Sequence, residues 1–84
     1  MHDTLRSPRQ IVLRTELRKL REHRGLSQVA VAKRHNKHQS FVSKYENGER
    51  RLSVIEFIDV VRALGAEPAA VLRRFLPAID SAAP

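Results

Sequence analysis

The sequence contains no cysteine and no tryptophan, and only four of its 84 residues are aromatic. Without cysteine the chain has no disulfide, no thiolate zinc site and no cysteine nucleophile. Because aromatic rings are so few, a folded core has to consist mainly of Leu, Val, Ile and Ala, and the hydrophobic content of 42% is sufficient for one.

Long apolar runs are also absent. The longest run is only a few residues, whereas about 20 are needed to span a bilayer. Residues 1–4 lack the apolar core of a secretory signal. These features predict a cytoplasmic protein with no membrane contact.

Glycine is scarce, and each glycine stands where helical periodicity stops: Gly25, Gly48 and Gly65. Asn36 can take the same role, because Gly and then Asn most readily adopt the left-handed backbone that closes a helix. Four such ends predict five helices. Since no stretch alternates apolar and polar residues with period two, the sequence favours an all-α domain.

Capping signals predict where the helices begin. Ser7, Ser27 and Ser53 are candidate N-caps, and Ser53 with Glu56 forms a full capping box. The predicted helices cover residues 8–24, 28–34, 39–47, 54–64 and 68–76, with Pro77 ending the last. The ends 1–6 and 80–84 should be flexible, which leaves residues 7–79 as one domain. Apolar residues at core spacing in the fourth helix are Ile55, Ile58, Val61 and Leu64.

The net charge of +7 is concentrated in one part of the chain. Residues 1–51 contain thirteen Lys or Arg and five acidic residues, a net +8, whereas residues 52–84 contain three and four, a net −1. A basic surface of this kind suits a polyanion, because neutralised phosphates release condensed counterions. Solubility alone is the alternative explanation.

Residues 27–48, SQVAVAKRHNKHQSFVSKYENG, resemble the helix-turn-helix of the phage-repressor family, the Cro- and Xre-type regulators. The resemblance extends over about residues 17–72. It implies a compact five-helix DNA-binding domain in which helices 2 and 3 form the motif and helix 3 enters the major groove. The matching positions are Gln28, Ala32, Asn36, Val42 and Tyr45.

Helix 3 then has one polar face. If Val42 points inward, 100° per residue directs Glu46 inward and Ser40, Lys44 and Asn47 outward. The resemblance implies that Gln39 reads adenine. It also implies that Ser40 and Lys44, with Ser43 on the flank, contact bases.

The resemblance further implies phosphate contacts from Gln28, which would also brace Gln39, and from the loop after helix 3. The loop candidates are Asn47, Arg50 and Arg51. An inward carboxylate needs a partner. By the same resemblance, Glu46 pairs with Arg21 and fixes helix 3 on its scaffold.

Four residues depart from the family pattern around the turn: His35, Lys37, His38 and Phe41. Phe41 could contact a thymine methyl or extend the core towards helix 4. The histidines, with His23, lack a carboxylate or thiolate that would complete a metal site. The sequence also lacks nucleophile–base pairs, phosphate-binding glycine loops and paired buried acids, so we expect neither an enzyme, a cofactor nor a bound metal.

The carboxy-terminal helix has more apolar residues than a short helix can bury within one chain. Val71, Leu72, Phe75 and Leu76 are therefore candidates for a homodimer interface, with completion of the monomer core as the alternative. The predicted function is a sequence-specific transcriptional regulator that binds a palindromic operator in double-stranded DNA as a dimer. Repression is favoured over activation. The alternatives are an antitoxin, an adaptor that does not bind DNA and a restriction–modification controller. A toxin or a co-regulator is a possible protein partner.

Overall fold

The computed structural model describes residues 4–83. Within this range it contains one short 3-10 turn and five α-helices without any strand, which confirms the all-α prediction. The 3-10 turn is Thr4–Arg6, and the helices are α1 (Pro8–His23), α2 (Gln28–Arg34), α3 (Gln39–Glu46), α4 (Val54–Ala63) and α5 (Pro68–Ser81).

The predicted caps are present at three helix starts. Ser7 accepts a hydrogen bond from the amide of Gln10 at 3.2 Å, and Ser27 accepts one from Ala30 at 3.0 Å. At α4 the box is complete, because Ser53 and Glu56 each accept from the other's backbone amide, at 3.1 and 2.8 Å. The amide of Ser53, together with Arg50, lowers the pKa of Glu56 below its usual value. The carboxylate therefore stays charged at neutral pH, and this stabilisation is lost only as the pH falls through the lowered pKa.

The core joins all five helices. Its fully buried side chains are Leu17 from α1, Val31 from α2, Val42 from α3, and Val60, Val61 and Leu64 from α4 and its C-cap. Helix α5 contributes the buried Val71 and Phe75. The predicted core face of α4 is wrong at Ile55, which is 66% exposed, whereas Phe57 and Val60 are buried. Helix α4 carries apolar side chains on more than one face, so periodicity alone does not select the buried one.

Helix α5 is longer than predicted. It continues through Pro77 to Ser81, so the predicted end at Leu76 is wrong. Pro77 is exposed, and the Arg73 carbonyl that loses its helical partner is on an exposed residue and can be hydrated. Ile79 packs against the core and holds the last turn in place. The flexible ends at 1–6 and 80–84 stay predictions, although Thr4–Arg6 forms a turn and α5 includes two residues of the second segment.

The structure also corrects the predicted dimer interface. Val71 and Phe75 are only 4% and 6% exposed, because both complete the core of the single chain. Neither has surface left to bury against a partner. Leu72 and Leu76, each 42% exposed, are the two residues of that prediction that remain available.

Arg14 of α1 links the amino-terminal turn to the loop after α3. Its guanidinium donates to the carbonyl of Leu5 and lies against Gly48, where an added Cβ would come within 2.7 Å of the guanidinium carbon. Gly48 has a φ of +78°, a conformation that L side chains rarely adopt. The glycine therefore serves both the end of α3 and the close approach of Arg14.

We expect Gly48→Ala to lower the free energy of unfolding more than Gly25→Ala. Both positions have positive φ values, which cost an L residue about 1–2 kcal/mol. A methyl group at position 48 must also displace Arg14, whereas nothing lies within 4 Å of a methyl group at position 25. Urea denaturation of the two variants measures the difference, and equal losses would contradict the role of Arg14.

Candidate nucleic-acid interface

Helices α2 and α3 pack closely as the two helices of a helix-turn-helix. Val31 and Ala32 of α2 and Val42 and Tyr45 of α3 are all buried in the same hydrophobic core. Tyr45 keeps its proton in this setting, because burial raises the pKa of its phenol. Small Ala32 lets the two helices approach, so the angle of α3 is set by packing rather than by its exposed face.

The turn between these helices closes at Asn36, as the sequence predicts. Asn36 takes a φ of +54°, and the amide of Lys37 donates to the carbonyl of Ala32 at 2.8 Å. His38 is the N-cap of α3, since its Nδ1 accepts from the amide of Ser40 at 3.3 Å and lies 3.1 Å from the Ser40 hydroxyl. This cap requires Nδ1 without a proton, so the histidine replaces the usual Ser or Thr only in that state.

The outward face of α3 is polar. Gln39, Ser40 and Lys44 are exposed, and Ser43 is half-buried beside them. The Asn47 side chain donates to the Ser43 hydroxyl at 3.3 Å, which ties the end of the helix to its flank. All four predicted base-contacting residues therefore lie on the accessible side of one helix.

Arg21 and Glu46 form a bidentate ion pair in the structure. Arg21 Nε donates to Glu46 Oε2 at 2.7 Å and its second terminal nitrogen donates to Oε1 at 3.0 Å. Their side chains are only 11% and 3% exposed. The hydrogen bond with Glu46 raises the pKa of Arg21 above its ordinary value, against the opposing effect of burial. The remaining nitrogen of Arg21 donates to the carbonyl of Leu26 at 2.8 Å, so one guanidinium holds α1, the next loop and α3.

Two glutamines extend this pair to the surface. Gln28 Nε2 donates to Glu46 Oε1 at 3.0 Å, and Gln39 Nε2 donates to Gln28 Oε1 at 2.8 Å. The brace between Gln28 and Gln39 that the resemblance implies is thus present. A continuous chain of hydrogen bonds leads from the buried Arg21 to the exposed end of α3.

Phe41 packs inside the domain rather than projecting into solvent. It is partly buried against the core, with its ring 5.6 Å from that of Tyr45 and 5.3 Å from that of His35. The Arg50 guanidinium lies 4.7 Å from the ring centre, and Lys37 Nζ lies 5.7 Å from it. The core interpretation of Phe41 therefore fits its position better than a contact with thymine.

The two arginines in the loop after α3 have different surroundings. Arg50 donates to Glu56 at 3.1 Å and packs on Phe41, so its guanidinium is engaged within the protein. Arg51 is exposed. Sequence patterns missed the contacts of Arg14 and Arg50, because both join segments whose approach depends on the whole fold.

The three histidines considered for a metal site do not form one. His35 and His38 flank the turn, whereas His23 lies in a cleft between α1 and α5 with Glu16 and Arg74. Within residues 4–83, no group of three His, Cys, Asp or Glu side chains is placed to hold a metal ion. Over the same range, no helix is both long and apolar enough to cross a membrane.

Comparison with known proteins agrees with the geometry of the motif. A family model described as a helix-turn-helix domain matches residues 12–75. An XRE-family-like protein from Pseudomonas syringae pv. tomato is 43% identical, with a TM-score of 0.78 over 82% of this chain and 84% of that one. The chain belongs to the Xre-type helix-turn-helix family.

Two restriction–modification controllers share the Xre-type fold. C.AhdI from Aeromonas hydrophila is 31% identical, with a TM-score of 0.67 over 74% of this chain and 94% of that chain. C.Esp1396I, solved as a tetramer with its natural 35 base-pair operator, has a TM-score of 0.80 over 89% of this chain and 99% of its own. At 17% identity the second likeness shows the fold alone. No curated protein sequence matches this Xre-type chain.

We expect Glu46→Ala to destabilise the domain far more than Arg50→Ala. The first variant leaves Arg21 buried without its partner, a loss of about 3–5 kcal/mol. The second breaks a pair whose side chains are 36% and 25% exposed, which is worth about 1 kcal/mol or less. Urea denaturation at pH 7 compares them, and equal midpoints would show that the buried pair has no special role.

Proposed function

We propose that this protein is a sequence-specific transcriptional regulator that binds double-stranded DNA with α3 in the major groove. The observation that carries the proposal is the position of Gln39, which is exposed at the start of α3 and held by the side chain of Gln28. A glutamine fixed in this way can make two hydrogen bonds to the edge of an adenine. Membership of the Xre-type family supports the same use of the helix.

The residues around Gln39 divide into two roles in this proposal. Ser40 and Lys44 face the bases with it, and Ser43 lies on the flank of the same face. Phosphate contacts come from the edges of the motif, where they add affinity without sequence information. The proposed phosphate-contacting residues are Gln28, Asn47, Arg50 and Arg51. Arg50 would make its contact while its guanidinium also binds Glu56.

The charge of the domain supports a polyanionic partner. Several arginines are already used inside the protein, since Arg24 and Arg34 donate to carbonyls at the end of α4, at 3.1 and 3.2 Å. Exposed cations nevertheless remain beside the motif, at Lys44 and Arg51. Binding by these cations should weaken as salt rises, because counterion release then contributes less free energy.

A homodimer that reads a palindromic operator is the proposed form. Leu72 and Leu76 are one helical turn apart on α5, and their exposed area is apolar. A second copy packed there would present two α3 helices to two half-sites. The controller C.Esp1396I, which is a tetramer on its 35 base-pair operator, gives a precedent for multimers of this fold on DNA.

Repression of a promoter that overlaps the operator is the proposed outcome of binding. A restriction–modification controller is the second candidate, since C.AhdI is 31% identical over most of its own length. Selection of binding sites from random DNA at two salt concentrations tests the common part of both proposals. If no sequence is enriched, the protein is not a specific reader.

On the selected site, Gln39→Ala should cost about 1–3 kcal/mol and relax the preference at one base pair. Arg51→Ala should weaken binding to all sequences by the same factor. It should also reduce the slope of the logarithm of the binding constant against the logarithm of salt concentration by about one. Lys19→Ala is the matched control, because Lys19 is exposed in the cleft between α1 and α5, away from α3. Competition binding against single-base variants of the site measures all three, and unchanged base preference in Gln39→Ala would contradict its role.

The dimer proposal predicts that Leu72→Glu with Leu76→Glu gives a monomer. Charge on this face removes the apolar area that a partner would bury and opposes two copies approaching. Ile11→Glu is the control, because Ile11 is 43% exposed but lies on α1. Sedimentation equilibrium at matched concentrations decides the matter, and a wild-type protein that stays monomeric at high concentration would exclude this interface.

A further inference from the structure

We propose that Glu46, which is buried and faces away from DNA, determines the base that Gln39 prefers. It does so by fixing the direction of the hydrogen bonds that run through Gln28. The inference rests on the proposed function, since it names the residue that sets the specificity of the same site. It assigns Glu46 a positioning role beyond its ion pair with Arg21.

The direction of the chain follows from what each group can donate. A carboxylate only accepts hydrogen bonds, and Glu46 is held as a carboxylate by two donors from Arg21 at 2.7 and 3.0 Å. The Gln28 atom that lies 3.0 Å from Glu46 Oε1 must therefore be the amide nitrogen. The reverse orientation of Gln28 would place two oxygens against each other with no proton between them.

The same logic then fixes Gln39. Because the nitrogen of Gln28 faces Glu46, its oxygen faces Gln39 and has to receive a proton from it. Gln39 Nε2 supplies that proton at 2.8 Å. One N–H of Gln39 is now used, and its second N–H and its oxygen remain on the exposed side of α3.

This leaves Gln39 with one donor and one acceptor for the groove. Adenine presents the complementary pair, an acceptor at N7 and a donor at N6, whereas guanine presents two acceptors at N7 and O6. If Gln39 were reversed, its NH2 group would be released towards the groove and could meet either purine. A chain fixed by Glu46 therefore favours adenine and disfavours guanine at this position.

A purely structural ion pair makes a different prediction. Loss of such a pair lowers the fraction of folded protein and weakens binding to every sequence by the same factor. Loss of the directing carboxylate changes the ratio of adenine to guanine at one position and leaves the other positions unchanged. The ratio at a single base pair is thus the measurement that separates the two roles.

The test uses Glu46→Gln in the full chain, with Glu56→Gln as the matched control. The control also neutralises a glutamate that pairs with an arginine, but it lies outside the chain of glutamines. The position read by Gln39 is first located as the base pair whose preference is lost in Gln39→Ala. Binding to operators with adenine or guanine at that position is then measured at a temperature where circular dichroism shows each variant folded.

The wild-type protein and Glu56→Gln should favour adenine by about 5- to 150-fold, the usual range for a bidentate contact. Glu46→Gln should bring the two bases to within about threefold of each other, because an amide at position 46 satisfies Gln28 in either orientation. An unchanged ratio in folded Glu46→Gln would overturn the proposal. A wild-type preference for guanine at this position would also overturn the proposal about Glu46, but the proposed sequence-specific DNA binding would stand.

Gln28→Lys provides a second test that leaves the buried pair in place. The ammonium group only donates, so it can satisfy Glu46 but must present a donor to Gln39. Gln39 should then turn its oxygen towards Lys and lose the adenine preference, although the added charge strengthens binding to all sequences. If Gln28→Lys retains the adenine preference, the proposal is overturned even if Glu46→Gln does not fold. If the wild-type protein selects no DNA sequence at all, the proposed function fails as well.

Discussion

The ion pair between Arg21 and Glu46 joins the scaffold to the recognition helix. Two charges with 11% and 3% exposure are costly to remove from water, and they are tolerated because both oxygens of the carboxylate and three nitrogens of the guanidinium have partners. Through the Arg21 side chain, the pair also joins α1 directly to the loop before α2 and to the last turn of α3. The orientation of α3 is consequently determined mainly from its buried side, and the side chains of Gln39, Ser40 and Lys44 remain exposed.

A second set of contacts holds the other flank of α3. Phe41 lies between the ring of Tyr45 and the guanidinium of Arg50, and Arg50 also binds Glu56 at the start of α4. The loop that follows α3 is therefore fixed relative to the helix itself. Since both flanks are anchored within the free protein, little backbone entropy would be lost if the face formed by Gln39, Ser40 and Lys44 met a ligand.

The parts of this fold that follow local rules were predictable from sequence. Serine caps and left-handed glycines act within a few residues, so the boundaries of the first four helices agree with the structure to within a residue or two. Tertiary contacts decided the rest: Ile79 packs on the core and keeps α5 helical beyond Pro77, and Val71 and Phe75 turn inward rather than towards a partner. The Arg21–Glu46 contact was available only through the family resemblance, because no local pattern relates residues 25 positions apart. The approach of Arg14 to Gly48 had no signal at all.

In the proposed function, stability and base reading would depend on the same carboxylate, that of Glu46. A buried ion pair can often be replaced by apolar residues of similar volume without loss of stability. At Glu46 such a replacement would leave Gln28 without the acceptor that orients its amide, and Gln39 would then be free to face the groove in either direction. The proposal therefore gives the charged pair a role that an apolar replacement of equal stability would not fulfil, namely the direction it imposes on its neighbours. If the proposal holds, the base preference of the exposed helix originates in a residue that does not contact the DNA.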